Sequence, residues 1–219
     1  MSSVAIYLES ASKRVFAGAI EWPGWERSGR DEDGAVEALV ASAPRYARAL
    51  GRSRSGFVVP AGPEDLRIVE RLTGNATTDF GAPGIAPAAD ERPLDDAETE
   101  RQVRLLRAAW AALDRAAAAA AGAALRTGPR GGGRQVDAIV AHVAAAEGAY
   151  LAKLGGRAAA GADPRVAIVE TIGTRARGEP PARTPRSGVL WTPRYFVRRA
   201  AWHALDHAWE IEDRAPPEG

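Results

Sequence analysis

TPRYFVRRAAWHALDHAWEIED, residues 192–213, decides the fold of the C-terminal part of the chain. Threonine followed by proline marks a helix start: Thr192 caps, and Pro193 takes the first helical position, where its missing N–H would have had no partner anyway. No proline or glycine follows before Asp213, so one long helix is expected to about that residue. At about 100° per residue, Phe196, Arg199, His203, His207 and Glu210 fall on one stripe about 80° wide. His203 and His207 are one turn apart, a spacing at which two imidazoles converge on the same metal ion.

Three more helical patterns precede this one. Asp95 and Glu98 stand at N-cap and N3 spacing, and Val103, Leu106, Trp110, Leu113 and Ala117 recur at helical intervals, predicting a helix that ends near Leu125. Ile139, Val140, Val143, Tyr150, Leu151 and Leu154 make one apolar face from about Val136 to Leu154, where Gly155 and Gly156 stop it. A shorter helix is expected from about Pro164 to Gly173, before the Pro- and Arg-rich loop 175–190. Four helices with a long last connection suggest a bundle over residues 95–219.

The N-terminal third reads differently. Val4, Ile6 and Leu8 alternate with Ala5, Tyr7 and Glu9, and a second short run covers Val15 to Ile20 after a polar turn, which together predict a β-hairpin. Trp22-Pro23-Gly24-Trp25 breaks the strand. A helix should begin near Asp31 with Ala35, Val36, Leu39, Val40 and Ala43 on its apolar face, bent or restarted at Pro44. Phe57-Val58-Val59 is a strand candidate, and Leu66 to Leu72 is either a strand or a short helix. Residues 1–80 are thus an α+β domain. Residues 81–93, GAPGIAPAADERP, hold three prolines and no apolar period, the composition of a linker that extends to residue 94.

The chain has three histidines, and all lie on two of the predicted helices. His142 stands at the edge of the apolar face of the second bundle helix, where it could point toward the His203–His207 stripe. Three neutral nitrogens with an open coordination position describe a catalytic zinc site, or an equivalent nickel, iron or manganese site. Glu147 falls near the middle of an apolar face and needs a partner there. It is read as a salt bridge to an arginine such as Arg104 or Arg199, or as a proton carrier or acceptor for a metal-bound imidazole. Asp206 and Glu210 carry a similar ambiguity, being next to the histidines in space yet also ordinary helix-surface residues. Trp191, Tyr195, Trp202 and Trp209 are core residues, of which one or two could wall a pocket. The glycines 131–133 between Arg130 and Arg134 are a weak anion-loop signal, and a flexible connection is the plainer reading.

Composition narrows the function. Cysteine is absent, so any thiol chemistry must use a bound thiol. Residues 1–94 carry 11 basic against 13 acidic side chains and residues 95–219 carry 18 against 15, so neither half has the excess expected of a nucleic-acid binder. No apolar run is long enough to span a bilayer, and no secretory leader is apparent, so a cytoplasmic protein without a membrane partner is expected.

The strings His142-Val-Ala-Ala-Ala-Glu147 and Arg199-Ala-Ala-Trp-His203-Ala-Leu-Asp-His207 resemble the DinB-like superfamily over residues 95–219. The resemblance implies a four-helix bundle whose metal ligands are His142, His203 and His207, a divalent ion, commonly zinc or nickel, and a possible homodimer. It further implies a metal-dependent enzyme that transfers or adds a small thiol such as mycothiol to a small-molecule substrate. In that reading Glu147, Arg199 and Glu210 are catalytic candidates, while Arg194 and Arg199 meet the polar end of the thiol. Arg198 is a further cation near the helix start but points away from the histidine stripe. A metal-dependent hydrolase and a non-catalytic binding protein use the same ligands. The hairpin, Trp22-Pro23-Gly24-Trp25, Ser28-Gly29 and the helix from Asp31 resemble the HicB-like antitoxin domain, which implies recognition of a protein partner.

Overall fold

The computed structural model describes residues 3–54, 56–128, 133–185 and 189–216; residues 130–132 of the glycine-rich loop lie outside them. Strands β1 (Val4–Ser10) and β2 (Val15–Ala19) pair antiparallel about a turn in which the Ala11 N–H donates to the Arg14 carbonyl at 2.9 Å. Residues 22–25 then turn the chain into β3 (Glu26–Gly29), a strand whose polar sequence carries no alternating signal. Gly24 takes φ +89° at this turn, and a Cβ there would meet Leu205 and Ala201 at 3.0–3.1 Å. Helix α1 (Glu32–Leu50) starts at Asp31, whose side chain accepts the Gly34 N–H, and runs through Pro44 without a break. One missing N–H is outweighed by the burial of Leu39, Ala43, Tyr46 and Ala47 on either side of it.

Of the two readings of Leu66 to Leu72 the structure has the strand, β4 (Leu66–Thr73), parallel to β1 and reached by the α1 crossover. The sheet order is β3-β2-β1-β4. Phe57-Val58-Val59 forms no strand; Phe57 instead packs edge-on against Trp22, Trp25 and Tyr46. Both tryptophans of the 22–25 turn are thereby accounted for, with Trp25 fully buried and its Nε1 donating to the Leu39 carbonyl.

A short α2 (Ala76–Phe80) precedes four long helices, α3 (Asp96–Ala119), α4 (Val136–Leu154), α5 (Pro164–Ala176) and α6 (Pro193–Arg214). Helix α3 ends six residues before Leu125, at a turn where Gly122 adopts φ +76°. Helix α6 lies along α3 on one side and α4 on another, and α4 also packs on α5. None of the helices among the described residues is long and apolar enough to cross a membrane.

Strands β1 and β2 are buried on both faces, whereas the edge strand β4 is largely exposed. Ile6, Leu8, Ala17 and Ala19 join Ala35, Leu39, Ala43 and Tyr46 of α1 in one apolar cluster that continues into Leu106, Leu113, Phe196 and Leu205. The opposite face carries Tyr7, Gly18 and Glu26 in one cross-strand row and Glu9, Phe16 and Ser28 in the next. Simple alternation would leave Tyr7 and Glu9 in water, yet both are fully buried, because residues 76–94 and α6 cover them.

The segment with linker composition is therefore packed. Ala82, Asp90 and Leu94 are buried, and Glu9 accepts hydrogen bonds from the Thr78 hydroxyl and the backbone N–H groups of Gly84 and Ile85. Arg198 of α6 clamps the same place. It donates to both Asp90 oxygens at 2.7 and 2.8 Å and to the carbonyls of Ala19 and Ile20. A bidentate pair and two carbonyls satisfy a guanidinium that would otherwise be costly to bury.

Glu26 is the exception in this layer. It is fully buried, neither carboxylate oxygen has a hydrogen-bond donor among the described residues, and Arg198 stays 3.6 Å away. Burial pushes its pKa up to about 7, against the opposing pull of Arg198. An acid raised on folding binds an extra proton in the folded chain between its unfolded value and about 7. Its contribution to stability is thus full below about pH 4.5 and is lost as pH rises through 7. Denaturant titrations at pH 5–8 should show stability falling with pH at a slope approaching about 1.4 kcal/mol per unit, and Glu26→Gln should flatten it. An unchanged slope in the variant would assign the dependence to another group.

Candidate metal centre

Two helices with well-defined starts position the site. Thr192 accepts the Tyr195 N–H to cap α6, and Pro193 fixes the first turn. Before α4, the Gln135 side chain accepts the Leu125 N–H at 2.8 Å, which pins the incoming loop, and Gly155 in the left-handed region stops the helix. His142 lies in the second turn of α4 and faces His203 and His207 of α6.

The three rings form a compact triangle, with centroids 5.1 Å apart for His142–His203, 5.0 Å for His142–His207 and 4.7 Å for His203–His207. One nitrogen of each lies within 4.8 Å of the others. Ligands at about 2.0–2.1 Å from one ion can be no more than about 4.2 Å apart, so side-chain adjustments of under about 1 Å complete the site. The donor set fits a divalent metal on a separate observation: Nδ1 of His203 is buried and has no hydrogen-bond partner among the described residues. Buried polar atoms are rarely left so, and a lone pair aimed at an ion would resolve it.

Burial favours the neutral form of two of the three rings. Burial, followed by the charges of His207, Arg199, His142 and Arg134, pushes His203 down to about 2. Burial and the neighbouring His207 also lower His142. Neutral imidazole is the form that ligates a metal. Glu210 orients the third ring: its Oε2 lies 2.7 Å from His207 Nδ1, which leaves Nε2 of that ring for a ligand. Its other oxygen accepts from Arg214, which also donates to the carbonyls of Arg126 and Arg134 in the connection leading to α4. One chain of hydrogen bonds thus ties the His207 ring to the helix that carries His142. Glu210→Gln should weaken cobalt(II) binding about 10–100-fold without altering the helical content. A variant that binds cobalt as tightly as the parent would show that the carboxylate does not orient the ring.

The other predicted site residues separate. Glu147 lies about 140° around α4 from His142, five residues on, and faces α3 and α5 instead. Its Oε1 accepts from Trp110 Nε1 at 2.5 Å, and Arg165, rather than Arg104 or Arg199, approaches Oε2 at 3.8 Å. Both contacts engage the carboxylate away from the histidines, which agrees with the salt-bridge reading of Glu147 and supplies the partner, Arg165. Arg194 is buried, and its Nε and Nη2 are held by Glu98 and by the carbonyls of Arg92 and Pro93. Asp206 pairs with Arg27 at 3.1 Å. Arg199 stays beside the cluster, 4.6 Å over the Trp202 ring and 5.6 Å from that of Tyr150.

Tyr150 and Trp202 lie 5.8 and 6.2 Å from the His203 ring, and Trp191 sits between Tyr150 and Tyr195, tilted to the first and edge-on to the second. Tyr150 of α4 and Trp202 of α6 therefore flank His203, with Trp191 and Tyr195 packed behind Tyr150. The Arg198–Asp90 pair and the Arg214 anchor are not evident from sequence, although Arg214 does stand one turn beyond Glu210. No known protein family, no curated protein and no solved structure matches the chain.

Proposed function

We propose that His142, His203 and His207 hold one divalent metal ion, zinc or nickel by ligand type, and that the chain is a metal-dependent enzyme acting with a small thiol such as mycothiol. The observation that carries the reading is the convergence of three imidazoles, one of them with a buried, unpartnered nitrogen. An ion held by three neutral imidazoles supplies Lewis acidity at an open position and lowers the pKa of a thiol or water bound there. The residues of the chain do the rest. Glu210 fixes the tautomer of His207. Tyr150 and Trp202 shield one side of His203 from water, and Arg199 offers a charge to the polar end of a ligand. The thiol must come from outside, because the sequence has no cysteine. A cytoplasmic setting, where such thiols are abundant, and a homodimer belong to the same proposal.

Cobalt-substituted protein tests this reading. Adding mycothiol should change the charge-transfer spectrum, and with monochlorobimane as electrophile should give conjugation that His203→Ala removes. Saturating mycothiol that leaves the spectrum unchanged and gives no conjugation refutes thiol transfer and favours activation of water.

A further inference from the structure

We infer that Arg199 is an anion receptor, and that the site takes a ligand bearing a carboxylate or a similar planar oxyanion. The position of that oxyanion beside a metal rests on the function proposed above; its recognition by Arg199 does not.

Arg199 stands one turn before His203. Among the described residues it makes no ion pair and no hydrogen bond, and its Nη1 is buried without an acceptor. The three other arginines of α6 each have a carboxylate and two carbonyls as acceptors: Arg194 has Glu98, Arg92 and Pro93, Arg198 has Asp90, Ala19 and Ile20, and Arg214 has Glu210, Arg126 and Arg134. Glu26 lies near enough for its pKa to feel the charge of Arg199, but not within ion-pair distance. The guanidinium is held in place by aromatic faces, Trp202 at 4.6 Å and Tyr150 at 5.6 Å, which attract a cation without using its N–H groups.

A second orphan adjoins it. The Trp202 Nε1–H is buried and has no acceptor among the described residues. A cationic donor and a neutral donor, both without acceptors from the chain, call for oxygens from a ligand. The flat fork of a guanidinium matches a carboxylate through two parallel bonds, which favours that group over a lone hydroxyl. The Tyr150 and Trp202 rings that hold Arg199 also flank His203, at 5.8 and 6.2 Å. A small carboxylate bound by Arg199 would therefore lie at the edge of the histidine cluster, its remaining atoms directed to the triad.

The test uses the full chain, metal-free, with benzoate as probe and benzamide as its neutral counterpart. Tryptophan fluorescence should report saturable binding of benzoate and none of benzamide. Arg199→Met should weaken benzoate at least about tenfold, the usual range for a lost charged hydrogen bond, and Arg199→Lys should recover part of it. Arg48→Met, on the surface of α1, should bind as the parent does, and circular dichroism of all variants should match. Equal binding of benzamide, or full benzoate affinity in a folded Arg199→Met chain, overturns the proposal. Cobalt titration of the same samples separates the two claims: cobalt uptake without benzoate binding leaves the metal centre standing and removes the receptor, and the reverse result removes the metal centre alone.

Discussion

Arg198→Met is expected to cost the folded chain about 3–5 kcal/mol, a large share of the about 5–15 kcal/mol that keeps an ordinary domain folded. The guanidinium is fully enclosed between the polar face of the sheet and α6, where it meets Asp90 in a bidentate pair, donates to Ala19 and Ile20, and approaches Glu26. Methionine fills similar space but leaves the Asp90 carboxylate charged and buried with its main partner gone. That uncompensated charge, rather than the loss of the pair itself, sets the magnitude. A second substitution should therefore restore much of the stability: Asp90→Asn in the Arg198→Met background removes the stranded charge. Urea midpoints for the four members of the cycle measure the coupling, and a double variant no more stable than Arg198→Met would contradict this account.

The second large effect is on metal affinity. His203→Ala should lower the affinity for cobalt(II) by more than about 100-fold, beyond the range expected for an outer partner such as Glu210. His203 is the most enclosed of the three rings and the one with an unpartnered nitrogen, so no neighbour or water can take its place cheaply. The helices should survive the change, because Phe196, Val197, Ala200, Ala201, Leu205 and Ala208 bury α6 independently of the histidines. Far-ultraviolet circular dichroism should thus match the parent while cobalt absorption is lost. A variant that retains the parent cobalt spectrum would exclude His203 as a ligand.

The readable parts of the chain were those governed by local chemistry. Gly155 after Leu154, and the Thr192–Pro193 start, mark helix ends by effects within a turn, and α4 and α6 begin and end within a residue of the expected positions. The hairpin follows from alternation across a short turn. Strand β3 escaped because Glu26-Arg27-Ser28-Gly29 has no apolar period, and pairing with β2 alone defines it. The segment 81–93 has the composition of a linker, and its packing is not legible locally because its anchor, Arg198, lies 108 residues from Asp90. Partner choice at Glu147 failed for the same reason: any of several arginines could satisfy a buried carboxylate, and only the docking of α5 on α4 selects Arg165. The His203–His207 pair is a property of one helix, whereas the approach of His142 depends on how α4 packs against α6.

Whether the three imidazoles share one ion is tested most directly by X-ray absorption of the full chain loaded with cobalt or zinc. One ion per chain, with three imidazole nitrogens at about 2.0–2.1 Å and a fourth, exchangeable oxygen, is the predicted result. A chain that takes up no ion under saturating metal, or a metal shell that is unchanged when His142, His203 and His207 are all replaced by alanine, would contradict it.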